Sequence, residues 1–212
     1  MGPVAQEVPV CVSLHDFTKS YFLDLVVQDA FVVELKTVEA LASEHFAQLL
    51  NYLLITETPH GKLINLRSPS VEFRTVNAVV SNKERCRFAI RTEKWRPQTP
   101  RCGLLAEIVD EMLRGWGAFL DCHLYEEALV HFLGGKDRVV QPVPLERAGF
   151  SLGTQRMPLV TDAVGFRCTA LASEAHEGYE LHLRRFLALT PLRALHWVNM
   201  HRNQIWLTTI PQ

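Results

Sequence analysis

Long apolar runs are missing from this chain. None approaches the ~18 residues that a membrane-spanning helix needs, and the N-terminus has no basic stretch followed by an apolar core of the kind that directs export. Paired cysteines are missing too. The five present, Cys11, Cys86, Cys102, Cys122 and Cys168, are odd in number and include no CxxC spacing. That excludes a disulfide framework and the usual zinc and iron–sulfur patterns, and it reads as reduced thiols in a cytoplasmic protein with no membrane partner. An excess of one charge is likewise missing: 22 Lys and Arg stand against 23 Asp and Glu, a formal net charge of −1. No global field draws in nucleic acid, so any phosphate contact has to come from a local patch. What is there is a chain of 212 residues, 48% hydrophobic, enough for one large or two small cores.

The most strongly patterned stretch is residues 21–36. Two apolar runs, residues 22–27 and 31–35, flank Gln28-Asp29-Ala30, and a three-residue hairpin loop there sets Val27 opposite Phe31. The same register sets Asp24 opposite Glu34. Side chains alternate along a strand, so Val32, Glu34 and Lys36 share one face while Val33 and Leu35 take the other. Two carboxylates facing each other across neighbouring strands repel and need a counter-charge. Lys36 supplies part of it, and a divalent cation such as Mg²⁺ or Mn²⁺, which prefers oxygen ligands, supplies the rest. The plainer alternative is a solvated hairpin face holding an ordinary ion pair.

Around this hairpin the chain alternates element types. Residues 7–14 read as a strand, and residues 41–56 as a helix with apolar positions at Leu41, Phe46, Leu49, Leu50, Leu53 and Leu54 and with Ser43 as its cap. Residues 62–66 and 71–76 form a second hairpin around Arg67-Ser68-Pro69-Ser70. The expected core is α/β with a mixed sheet. His45 lies on the helix near Gln48, within reach of the acidic patch, although a lone helix histidine is more simply a partly exposed polar residue. Residues 81–101 then collect Lys83, Arg85, Arg87, Arg91, Lys94, Arg96 and Arg101 around Trp95, against Glu84 and Glu93. One reading is a phosphate-contacting arm with a stacking aromatic. The plainer reading is a basic, solvated linker between residues 1–80 and 102–212.

The second half repeats the first. Thr56, Asn65 and Thr75 recur as Thr190, Asn199 and Thr209 at one constant offset. Leu25-Val26 recurs as Leu159-Val160 at the same offset, and apolar positions follow: Leu49 with Leu183, Tyr52 with Phe186, Leu53 with Leu187, Val71 with Ile205. Two tandem α/β units are expected, packed about a pseudo-twofold axis as an intramolecular pseudodimer. Before its hairpin, the second copy carries two expected helices over residues 103–113 and 119–132, closed by Gly134-Gly135.

Asp24 followed by Glu34-Leu35-Lys36 resembles the D…ExK core of PD-(D/E)xK nucleases, and Gln48-Leu49-Leu50-Asn51-Tyr52 looks like the QxxxY helix motif of RecB-like members. VVELKTVEALASEHFAQLLNYL and LINLRSPSVEFRTV are similar to the small bacterial family of GxxExxY proteins within that superfamily, over roughly residues 7–77. The resemblance implies a restriction-endonuclease-like fold. It implies Asp24 and Glu34 as ligands of Mg²⁺ or Mn²⁺, Lys36 as the residue that positions attacking water or stabilises charge, and Gln48 as a support of the site. The family's naming motif lies on a helix before the first strand and contributes a further Glu. Here the chain opens Met1-Gly2-Pro3 shortly before the first strand, so that helix is expected to be absent from the first copy. In the second copy WGAFLDCHLYEEALVHFLGG is similar to the signature helix through Gly117, Tyr125, Glu126 and Glu127, with Cys122 where the Glu belongs. Asp24 corresponds to Pro158 and Gln48 to His182. Aligning Asp29-Ala30 with Asp162-Ala163 takes one deletion, after which Glu34 corresponds to Arg167 and Lys36 to Thr169.

Three readings follow. The first is a metal-dependent nuclease-like protein that hydrolyses phosphodiester bonds of DNA or RNA through one site in the first unit, with Glu107, Asp110, Glu111, Asp121, Glu126 or Glu127 available to stand in for the missing acid. The second is a non-catalytic pseudonuclease that binds nucleic acid or a protein partner. The third treats the carboxylates as a structural ion-pair patch. A cysteine nucleophile on Cys122 with His123 or His182 is a minor alternative, since adjacent helix residues point apart.

Overall fold

The computed structural model describes residues 2–28, 30–67 and 70–212. Met1, Asp29 of the first expected loop, and Ser68-Pro69 of the second lie outside the described residues. The chain divides into two compact units: Met1–Cys86 with Phe119–Asp121, and Arg87–Ala118 with Cys122–Gln212. Each is a mixed sheet flanked by helices.

The first unit runs β1 (Val4–Leu14), β2 (Phe17–Val27), β3 (Phe31–Lys36), α1 (Ser43–Ile55), β4 (His60–Asn65), β5 (Glu72–Asn77) and a single turn α2 (Asn82–Arg85). Its sheet has the order β1-β2-β3-β4-β5. Only the β3–β4 pair is parallel, because α1 provides the crossover that a parallel connection needs. Val8, Val10, Val12 and Leu14 of β1 face inward while Pro9, Cys11 and Ser13 are exposed. Proline is tolerated there because β1 is an edge strand. Helix α1 packs Leu49, Tyr52 and Leu53 on Leu23, Val32 and Leu63. Gly61 makes that approach feasible: a Cβ there would sit 3.0 Å from Leu53 Cδ2 and 3.0 Å from the Val32 carbonyl. Ser43 is not the helix cap. Ala42 holds that position, and its N–H donates to His45 Nδ1 (2.9 Å), so the imidazole in the first turn plays the part that a Glu or Gln plays in a capping box.

The second unit runs β6 (Ala89–Lys94), α3 (Pro100–Trp116), α4 (Cys122–Phe132), a single turn α5 (Lys136–Val139), β7 (Val140–Arg147), β8 (Phe150–Thr161), β9 (Val164–Thr169), α6 (His176–Leu187), β10 (Ala194–His201) and β11 (Gln204–Pro211). Its sheet order is β6-β11-β10-β9-β8-β7. From β7 to β11 every orientation repeats that of β1 to β5, with the β9–β10 pair parallel across α6. β10 is buried from residue 194 to 200, as expected of a strand covered on both faces. Leu183 and Leu187 of α6 join Leu195, Trp197 and Ile210 in one cluster, while α3 and α4 pack on β8 and β9.

Two details show how far the repetition reaches. Asn65 Oδ1 accepts the Val38 N–H (3.2 Å) and its Nδ2 donates to the Val38 carbonyl (2.9 Å). Asn199 does the same to Leu171, at 2.7 and 2.8 Å. Each buried asparagine thereby extends the parallel ladder by one side-chain step. The ladder position Val32–Gly61 of the first unit is Gly165–Leu195 in the second, so the glycine has changed strand while one branched side chain still fills the pair.

Residues 81–101 are not a linker. Ala89–Lys94 pairs in parallel with β11, because an edge strand needs one partner and tolerates charges on its open side. Ser81 and Glu84 cap the turn before it, and Arg85 is buried with Nη1 donating to the Leu54 carbonyl (2.6 Å). Trp95, read as a stacking aromatic for bases, instead covers His196 at 4.2 Å between ring centroids. The helix expected from residue 119 begins at Cys122, since Gly117 (φ 75°) and Phe119 (φ 72°) hold left-handed backbone before it. Gly134 (φ 120°) and Gly135 (φ 87°) close it as expected. No helix among the described residues is long and apolar enough to cross a membrane.

The asparagine steps predict that Asn65→Ala and Asn199→Ala each cost roughly 1–3 kcal/mol, because a half-buried N–H and carbonyl lose their partner. The larger loss is expected at Asn199, which also bonds Thr169 and His176, and urea unfolding of the two variants measures both. His196 is fully buried, and its Nε2 has no partner among the described residues. Burial pushes the imidazole down to about 4, so the unfolded chain takes up a proton that the fold refuses. Stability should therefore fall as pH drops from about 6.5 to about 4, by up to roughly 3 kcal/mol. His196→Gln should flatten that part of the stability–pH curve.

Candidate active site

The β2–β3 ladder pairs Val27 with Phe31, Val26 with Val32 and Leu25 with Val33. Its next step brings Asp24 opposite Glu34, the register expected from the hairpin. Backbone pairing stops there, and the β1–β2 ladder also skips the Glu7–Asp24 position, where Glu7 has φ 48°. With both ladders interrupted, the Asp24 side chain takes the place of a backbone acceptor: Oδ2 receives the Leu35 N–H at 2.7 Å. This bond fixes the carboxylate against the strand that carries Glu34.

Glu34 is 2% exposed, a place where a carboxylate is stable only with partners. One oxygen has them: Lys36 Nζ donates to Oε1 at 2.8 Å. The same ammonium donates to Gln48 Oε1 at 2.8 Å, and Gln48 Nε2 donates to Tyr52 Oη at 2.8 Å. The tyrosine thus sets which way the glutamine amide points, and the glutamine holds the lysine beside Glu34. The other carboxylate oxygen, Glu34 Oε2, is buried and has no hydrogen-bond partner among the described residues. Burial raises the Glu34 pKa, the Lys36 hydrogen bond opposes that rise, and the Asp24 charge adds to it. Burial likewise raises the Tyr52 phenol, keeping it an O–H.

Asp24, Glu34, Lys36 and Gln48 are thus gathered at one place as the sequence pattern anticipates. The pattern did not assign Tyr52 a role in the site, though its i+4 spacing from Gln48 on α1 was the available signal. His45 is not part of the constellation, being spent on the start of α1. Among the described residues no group of three or more His, Cys, Asp or Glu side chains is arranged to hold a metal. Asp121 falls with the first unit, where its backbone N–H donates to Asn51 Oδ1 (2.9 Å). The donor set is therefore two carboxylates with one orphaned buried oxygen. It fits a hard divalent cation of the Mg²⁺ or Mn²⁺ type, which completes its shell with water and phosphate oxygens.

At the places that the sequence repeat sets against them stand Pro158, Arg167, Thr169 and His182, but the ladder corrects the first. Leu159 pairs with Gly165 where Val26 pairs with Val32, so Met157 and not Pro158 stands at the step of Asp24. Thr169 is bound into the fold, donating to Asn199 Oδ1 (2.6 Å) and accepting Trp197 Nε1–H (2.7 Å). Cys122 lies close enough to Cys168 to affect its thiol, which burial pushes well above its ordinary range. His182 is exposed, with its ring 5.7 Å from that of Tyr179. All five cysteines are free.

Residues 3–76 match the family model of the PD-(D/E)XK nuclease superfamily, a span that holds β1 to β4, α1 and nearly all of β5. No curated protein and no solved structure matches the chain. The first unit is nuclease-like in fold, and members of that superfamily generally use divalent metal ions.

The raised pKa gives the site a signature in the absence of metal. A carboxyl whose folded pKa exceeds its unfolded value contributes stability that is complete below the unfolded pKa and is lost as pH rises through the folded one. In EDTA, Glu34 should therefore cost the fold stability at neutral pH. Glu34→Gln, which keeps the shape without the charge, should unfold at a higher temperature than wild type at pH 7.5, and that difference should shrink toward pH 4.5. A lower unfolding temperature for the variant at pH 7.5 would count against this account of the buried carboxylate.

Proposed function

We propose that the first unit is a divalent-metal-dependent nuclease of the GxxExxY kind that hydrolyses phosphodiester bonds of DNA or RNA. The single observation that carries this reading is Glu34 Oε2: a buried carboxylate oxygen with no partner among the described residues, beside a second carboxylate fixed by the Leu35 N–H. A structural ion-pair patch would use both oxygens of its buried acid, and this one uses only Oε1.

The residues divide the work as follows. Asp24 and Glu34 would hold the cation. When bound, it supplies Lewis-acid stabilisation of charge at the phosphodiester and activation of water. Lys36 is held by Glu34 and Gln48 through two donor bonds, and an ammonium has three donors. The third is left for an attacking water or a non-bridging phosphate oxygen. Gln48 and Tyr52 keep that ammonium in place, a supporting arrangement whose loss loosens a site without removing it. The second unit is read as a duplicate that kept the strand order and the asparagine step but lost these four residues.

Cleavage of single-stranded DNA, plasmid DNA and RNA should require Mg²⁺ or Mn²⁺ and stop in EDTA. Asp24→Asn, Glu34→Ala and Lys36→Ala should each lower the rate by roughly a hundredfold or more. Metal should raise the unfolding free energy of wild type by ~2.7 kcal/mol at a hundredfold excess over its dissociation constant, and Glu34→Ala should abolish that shift. Absence of cleavage with either metal, together with no stabilisation by metal, would leave the protein a non-catalytic binder of nucleic acid or of a protein.

A further inference from the structure

The second unit reverses the charge of the site that the first unit builds. The ladders establish the equivalence. β3 pairs with β4 as Lys36–Asn65 and β9 with β10 as Thr169–Asn199, and both asparagines clamp the residue two positions beyond the strand. Two positions back from Lys36 is Glu34, and two back from Thr169 is Arg167. An always-charged guanidinium therefore stands where the first unit has its buried carboxylate.

Arg167 pairs with Trp197 in the parallel ladder, and such pairs share a sheet face. Trp197 packs against Tyr179 of α6, with ring centroids 5.2 Å apart, and Tyr179 in turn lies 5.7 Å from His182. The arginine consequently looks toward α6, as Glu34 looks toward α1. Its charge reaches the Tyr179 hydroxyl and the Cys168 thiol. Arg167 is half-buried, yet among the described residues its guanidinium makes no hydrogen bond and no ion pair. Glu126 of α4, whose charge also reaches Tyr179 and Cys168, is half-buried too and forms no ion pair. Burial keeps Cys168 a neutral thiol, so it supplies no counter-charge. A guanidinium partly withdrawn from water and lacking a carboxylate partner is open to an anion, and its planar fork of donors matches phosphate oxygens.

We infer that Arg167, with the Tyr179 hydroxyl and the His182 imidazole beside it, forms an anion site in the second unit that takes a phosphate group. The site binds and does not cleave, since no carboxylate, lysine or glutamine of the first unit's constellation recurs there. The phosphate has two conceivable sources, the backbone of a nucleic acid and a free phosphate.

The test uses the full chain in EDTA, so that metal chemistry at Asp24 and Glu34 plays no part. Binding of a fluorescein-labelled oligothymidylate is read by anisotropy, and inorganic phosphate is added as competitor. Arg167→Gln should weaken oligonucleotide binding roughly ten- to hundredfold and reduce the salt dependence by about one phosphate contact. Displacement of the oligonucleotide by millimolar inorganic phosphate would identify free phosphate as a sufficient ligand. Displacement only by unlabelled oligonucleotide would identify the nucleic-acid backbone. Wild-type affinity in Arg167→Gln, or no binding of either probe by wild type, overturns the inference. So does a thermal destabilisation of Arg167→Gln that Glu126→Gln repairs with binding unchanged, because Arg167 would then be a partner of Glu126. Failure of metal-dependent cleavage would leave this result untouched, since no metal is present in the assay.

Discussion

Burying Glu34 is the most demanding thing this fold does, and much of the first unit is arranged around it. A carboxylate withdrawn from water must neutralise, pair or bind a cation. Lys36 pairs with one oxygen only. To keep that ammonium where it is, the fold commits Gln48 from the middle of α1, then Tyr52 one turn later. Tyr52 is itself part of the apolar cluster with Leu23 and Leu63. The hydrogen-bond chain is thus rooted in the hydrophobic core, and α1 cannot shift along the sheet without moving the lysine. The close seat of α1 over Gly61 serves the same end, because a side chain there would push the helix and its Gln48 away from β3.

Seen this way, the strand irregularities at Asp24 are part of the site's construction. A regular ladder would have given the Leu35 N–H a backbone acceptor and left Asp24 as an outward or inward side chain with no fixed direction. The interrupted pairing at Glu7–Asp24 leaves the carboxylate to accept that N–H itself. The cost is a residue with left-handed backbone, Glu7, in an edge strand where strain is cheap. What is gained is a second carboxylate whose position is tied to the strand bearing the first.

Much of this was legible in the chain. The hairpin register came from two apolar runs around a short polar loop, and once Val27 faces Phe31 the juxtaposition of Asp24 and Glu34 is arithmetic. Helix α1 was legible from its apolar stripe, and the shared strand order of the two units was foreshadowed by Asn65 and Asn199, which occupy the same structural step. What escaped were features decided by a single partner. Residues 89–94 look like a solvated basic run because an edge strand offers one side to its neighbour and the other to water. The start of α4 was placed early because Phe119 is apolar and in phase, and its left-handed backbone has no compositional mark. Ser43 is a better capping residue than Ala42 by type, but the helix starts one residue earlier, with the His45 imidazole holding the Ala42 N–H.

The role of His196 was not legible, and although the repeat set Arg167 against Glu34, its want of a carboxylate partner was not legible either. Each is a polar residue in a largely apolar strand, and the pattern alone does not say what partners it finds. The two are handled differently by the fold. His196 is sealed under Trp95, and Thr209 is its hydrogen-bond partner, so the strand keeps it neutral and inert. Arg167 cannot be neutralised, and no carboxylate in the described structure pairs with it. A duplicate that had merely decayed would be expected to replace a buried acid with an apolar side chain, since that removes a cost. Placing a permanent cation at the same step adds a cost instead, and a cost retained in an otherwise well-packed sheet is best explained by a ligand that repays it.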